Sequence, residues 1–230
     1  MDLNRRSFVG ILGGGLAAAA TAGATLADAQ LVYQRTDWHS GDFEKLLKDP
    51  ASVKQVFDVR PIGDGKFLSS MKNSLNGFHF GFGVAPEQIR IVAALHGAAN
   101  MLNFDDEMWE KYRLGDWLKV DDPKTGKPAL RNIYLRKSAG PSMGPNDRSS
   151  IFQDWSIEAL RTRGVQFLSC HTATEEQARG LIADNSLKIS AEELVKELQS
   201  HTVPGVLIVP AMVAAISLLQ SEGRFSYITI

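Results

Sequence analysis

The chain has 230 residues, of which 44 % are hydrophobic and 22 % charged, with a formal net charge of −1. Near-neutral charge without a basic patch or tail excludes the electrostatic footprint of a nucleic-acid binder, and the apolar content suits a folded globular protein. Cys170 is the one cysteine, which excludes an internal disulfide.

In chain order the first element is an export signal. Residues 4–10 read NRRSFVG, so Arg5 and Arg6 stand directly before an apolar run rich in alanine, glycine and leucine over residues 8–26. Ala27, Asp28 and Ala29 follow, with small residues at the two positions a signal peptidase reads and cleavage expected before Gln30. A charged start, an apolar middle and an A-x-A site make a secretory signal, and the arginine pair marks the twin-arginine type. The expected location is therefore the periplasm, reached already folded, with no membrane attachment after cleavage. Residues 1–29 are the signal, and residues 30–230, about two hundred in number, suit one domain. No second apolar run is long enough to span a bilayer, because Pro204, Gly205 and Pro210 interrupt residues 203–219.

Residues 31–50 are polar and irregular, with Trp38 and Phe43 as anchors. A strand is expected over 51–60, a turn at 63–65, and a helix over 66–80 from the spacing of Phe67, Leu68, Met71, Leu75 and Phe78. The nearly continuous apolar run 89–95 reads as a strand buried on both faces, ended by His96 and Gly97. A helix over 105–114 opens on acidic residues and closes at Gly115. Residues 115–150, crowded with proline, glycine and charge, read as a long insertion loop, expected to be mobile or functional. An amphipathic helix follows over 151–163, then a second buried strand over 165–170. The next helix, about 175–182, is given a capping box at Thr174 and Gln177, and Ser190 with Glu193 fits another. A third buried strand over 205–209, a helix opened by Pro210 and a closing strand over 225–230 complete the chain. Apolar strands alternating with helices predict an α/β fold: a single domain with a central, mostly parallel sheet flanked by helices. The ligand crevice of such a sheet lies at the carboxyl ends of its strands, where His96 and Cys170 stand.

Three blocks carry a resemblance to a known family: IRIVAALHG at 89–97, GVQFLSCH at 164–171 and VPAMVAAISLLQSEGRFSYI at 209–228. In this order they resemble the DsrE/DsrF-like (YchN-like) family over roughly residues 53–230, with the 115–150 loop interrupting. The resemblance implies a small α/β domain and homo-oligomers, commonly trimers or hexamers. In sulfur-relay members a cysteine at the end of the Gly-Val-x-Phe strand carries a persulfide, and Cys170 occupies that position.

The residues themselves add to this. A thiol just before a helix amino terminus meets the helix dipole and free N–H groups, which favour thiolate and an acidity above that of a free thiol; the alternative is a buried structural cysteine. His96 reads as a general base or as a hydrogen-bonded polar residue at a strand end. His171 follows Cys170 directly, and successive strand residues face opposite sides. Gly97 and Asn100 lie in the turn after His96; Asn100 either lines the crevice or caps a helix. Arg131, Arg136 and Lys137 form either a solvated loop face or an anion site. The histidines and Cys170 lack ligand-like spacing, so no metal is expected, and no cofactor motif is present. The candidate site is thus Cys170 and His96 for chemistry, with His96, Gly97, Asn100 and His171 for binding. Two readings follow: a periplasmic carrier of small sulfur species on Cys170, or a non-catalytic module that binds a small ligand or assembles through the same fold.

Overall fold

The computed structural model describes residues 30–136 and 144–230; the signal at 1–29 and Lys137 lie outside the described residues. The chain is an α/β domain built on a five-stranded, wholly parallel sheet. Its strands are β1 (Val53–Val59), β2 (Ile89–Leu95), β5 (Gln166–Cys170), β6 (Leu207–Val209) and β7 (Ser226–Thr229), in the spatial order β6-β5-β2-β1-β7. A small antiparallel ribbon, β3 (Asp121–Asp122) with β4 (Lys127–Pro128), stands apart.

Alternation along the strands divides the core into two layers. Phe57, Val59, Ile91, Ala93, Leu95 and Phe167 point to one face and Val56, Val92, Ala94, Leu168 and Cys170 to the other. The first face is covered by α2 (Lys66–Asn76), α3 (Asp106–Lys111), α5 (Ile157–Thr162) and α7 (Ala191–Ser200), through residues such as Phe67, Met71, Trp109, Leu160 and Leu198. The second is covered by α1 (Ser40–Leu47) and α8 (Met212–Ser221), through Phe43, Leu46, Met212, Ile216 and Leu219. The long α6 (His171–Asn185) leaves the carboxyl end of β5 and lays Ala178 and Leu181 against the first layer. Among the described residues no helix is long and apolar enough to cross a membrane.

Several expectations need correction. Residues 31–50 are not irregular throughout, because Phe43 and Leu46 recur at helical spacing and bury one face of α1. The helix expected to 80 narrows to α2 and then widens into a π turn at Gly77–Gly81. Gly115 does not end a helix. The break comes at Arg113, in the left-handed region at φ 49°, and Gly115 lies inside α4 (Leu114–Leu118). The 115–150 insertion carries structure of its own, the end of α4 and the β3–β4 ribbon, and buries Val120, Ala129, Asn132, Tyr134 and Leu135. Arg131 pairs with Asp122 at 3.0 Å and Arg136 with Asp106 at 3.3 Å. Pro210 precedes the helix it was expected to open; Ala211 caps α8 and Met212 begins it.

Candidate functional site

The carboxyl edge of the sheet brings the chemistry-bearing residues together. Cys170 ends β5 and is the N-cap of α6, which begins at His171 and not near Glu175. The Thr174/Gln177 capping box is therefore absent, and both residues lie inside the helix. The Ala173 N–H donates to Cys170 Sγ at 3.4 Å. The Met212 N–H, at the first residue of α8, donates to the same sulfur at 3.3 Å. The sulfur thus sits between the amino ends of two helices, whose dipoles favour negative charge there. Cys170 is 5 % exposed. Burial pushes its thiol up from the ordinary range, and the N–H groups of Ala173 and Met212 pull it down without cancelling that. The expected acidic thiol is thus corrected: loss of water outweighs the helix ends.

His96 continues β2 in extended conformation, its N–H bonded to the Val59 carbonyl at 3.0 Å. Its Nε2 lies 2.5 Å from Asp58 Oδ1, and the Tyr227 hydroxyl donates to Asp58 Oδ2 at 2.5 Å. The Asp58 hydrogen bond pushes the Tyr227 hydroxyl up. A neutral imidazole that donates Nε2–H to a carboxylate keeps its lone pair on Nδ1, and the imidazolium carries a proton on both nitrogens. By alternation Asp58, His96, Tyr227 and Cys170 all belong to the α1/α8 face of the sheet. The β2–β5 register ends at Leu95 opposite Ser169, so His96 and Cys170 are the next positions on adjacent strands. The sequence reading missed Asp58 and Tyr227. Asp58 carried a signal, as an acidic residue in the otherwise apolar run Val56–Val59.

Gly97 turns the chain with φ 53°, and a Cβ there would lie 3.2 Å from the Arg60 carbonyl oxygen. Its own carbonyl accepts from Gln177 Nε2. Asn100 neither lines a crevice nor caps a helix. It is fully buried within the turn Gly97–Asn103. Its Oδ1 accepts from the Cys170 N–H at 2.9 Å and the Ser169 hydroxyl at 3.0 Å. Its Nδ2 donates to Thr174 Oγ1 and Gln177 Oε1, both at 3.0 Å. The reason is topological: β2 turns away at Gly97, so the Cys170 N–H has no strand partner, and Asn100 supplies the acceptor a buried donor requires.

His171 leaves Cys170 in the other direction. Its ring stacks on Tyr33 at 3.6 Å, and its Nε2 donates to the Leu31 carbonyl at 2.7 Å. A carbonyl only accepts, so the proton is on Nε2 and Nδ1 accepts from Gln199 Nε2 at 2.8 Å. Burial pushes this imidazole down, which keeps it neutral. The structure thus joins Cys170 to Asn100, puts His96 on the same sheet face, and separates His171 from the thiol. Searches of protein-family models, of curated proteins and of solved structures return no match to this chain.

Proposed function

We propose that this chain is a periplasmic sulfur carrier that holds sulfane sulfur as a persulfide on Cys170. The observation that supports it best is the pair of N–H donors, from Ala173 and Met212, that converge on Cys170 Sγ from two helix amino ends. Serine, threonine, aspartate and asparagine are the ordinary N-caps; a thiol in that place trades capping strength for nucleophilic chemistry. Loading from a polysulfide is redox-neutral thiol–disulfide exchange. The Cys170 sulfur attacks a terminal sulfane sulfur, a Cys170 S–S bond forms as a polysulfide S–S bond breaks, and the shortened polysulfide leaves with the electron pair and the thiol proton. Backbone N–H groups aimed at the site then stabilise the persulfide anion.

A second reading is favoured by a specific observation, the burial of Cys170 with its thiol pushed up. On that reading the domain is a small-ligand-binding or assembly module and Cys170 is a core residue. Intact mass of the protein taken from the periplasmic fraction and exposed to polysulfide separates the two. The carrier gains about one sulfur atom, lost again in dithiothreitol, and Cys170→Ser gains none. A native protein that takes up no sulfur and resists iodoacetamide until unfolded is the assembly module instead.

Either reading places the domain in a homo-oligomer, a trimer or hexamer. α8 exposes Val213 at 72 % and Leu218 at 39 %, and the edge strand β7 exposes Tyr227 and then Ile230 beyond it. Apolar helix surface beside an unpaired strand edge is surface that a folded protein covers. Multi-angle light scattering at micromolar concentration should give a trimer or hexamer, shifted toward monomer by Val213→Glu. A monomer for the unaltered chain refutes the assembly.

A further inference from the structure

We infer that residues 30–33 form a strap that gates chemical access to Cys170, a regulation of the same site that rests on the carrier reading for its purpose but not for its test. The strap's main chain is gripped from both sides by α6. The Leu31 N–H donates to Glu175 Oε2 at 3.0 Å and the Leu31 carbonyl accepts from His171. Glu175 is 4 % exposed and is held by Arg179 at 2.9 Å, so its carboxylate is fixed before the strap arrives. Tyr33 adds a stack on His171 and donates its hydroxyl to Gln199 Oε1 at 2.6 Å. Gln199 in turn donates to His171, so Tyr33, Gln199, His171 and Leu31 form one continuous chain of hydrogen bonds.

The link to Cys170 is the first turn of α6. The residues the strap holds, His171 and Glu175, bracket Ala173, whose N–H reaches Cys170 Sγ, and Thr174, whose hydroxyl donates to the Cys170 carbonyl at 2.9 Å. That turn and the start of α8 together close over the 5 % exposed sulfur, and the strap pins the α6 side of this closure in place. The strap is held by these polar contacts and by Leu31, which packs against the core. Residues 30–34 belong to no helix or strand, and Val32 is 70 % exposed. Segments with few buried apolar contacts open at low free-energy cost while the rest stays folded.

The test is the rate of iodoacetamide alkylation of the native full chain, read by intact mass; Cys170 is the one cysteine, so the label is unambiguous. Tyr33→Phe keeps the stack and loses the hydroxyl, while Tyr33→Ala loses both. The expected order is native slowest, then Tyr33→Phe, then Tyr33→Ala, with Tyr33→Ala at least about tenfold faster, equal to about 1.4 kcal/mol of lost closure. The rates should also be insensitive to low urea, as local opening is. Equal rates in all three overturn the gate, and so does a rise that follows urea with the slope of global unfolding. If Tyr33→Ala does not fold, Tyr33→Phe and Gln199→Leu carry the comparison. Faster alkylation without sulfur uptake keeps the gate and removes the carrier; sulfur uptake with equal alkylation rates does the reverse.

Discussion

Replacing Asn100 by alanine should lower the melting temperature by roughly 8–16 °C, at about 2–4 °C per kcal/mol for a domain of this size. The side chain is fully buried and, besides accepting from Asn103 Nδ2 at 3.5 Å, serves four partners on β5 and α6. A buried polar group left without its partner costs about 1–3 kcal/mol. Not all four are stranded: the Thr174 hydroxyl still donates to the Cys170 carbonyl, and the Ser169 hydroxyl is free to rotate. The Cys170 N–H and the Gln177 Oε1 are the groups with least recourse, which sets the loss at about 4 kcal/mol. Asn100→Asp should be no better. It keeps an acceptor but buries a charge and removes both donated bonds. Scanning calorimetry checks this, and a fall of less than about 3 °C for Asn100→Ala would mean that the junction of β5 and α6 does not depend on the amide.

Gly115→Ala should cost about 3 kcal/mol, at the upper end of ordinary overpacking, and lower the melting temperature by roughly 6–12 °C. A Cβ at this position would lie 2.2 Å from the Ala129 carbonyl oxygen and 2.4 Å from its nitrogen. These are backbone atoms, held by the Ala129 N–H bond to the Val120 carbonyl at 2.9 Å, so they do not swing aside as a side chain would. Gly77→Ala is the control. Gly77 has helical φ −59°, and a methyl group there would meet nothing within 4 Å, so alanine should be neutral or stabilising by up to about 1 kcal/mol. Chemical denaturation of both variants gives the comparison, and similar midpoints for the two would refute the close approach at Gly115.

Much of the fold was legible because each layer writes its own period. The strand over 89–95 and the box at Ser190 and Glu193 match the structure, where Ser190 accepts from the Glu193 N–H at 3.2 Å. A run apolar at all but one position has one economical place, the middle of a parallel sheet. A capping box is satisfied by bonds within four residues. The same locality explains the errors. Thr174 and Gln177 have the spacing of a box, yet Gln177 reaches across to Gly97 and Asn100, partners about eighty positions earlier. Gly115 has the look of a helix stop, and only its approach to Ala129 says otherwise.

The candidate site divides the same way. The sequence by itself determined that Cys170 and His96 stand at the carboxyl ends of buried strands; their common face came from the β2–β5 register of the structure. Only the tertiary structure decided that Asp58 and Tyr227 join His96, that Asn100 belongs to the core, and that His171 turns away to hold Leu31 and Tyr33. It also decided the state of the thiol. The position of Cys170 before a helix favours the anion, and that much is local. How much water is lost around the sulfur depends on α8 closing over it from forty residues downstream, and desolvation is the larger effect.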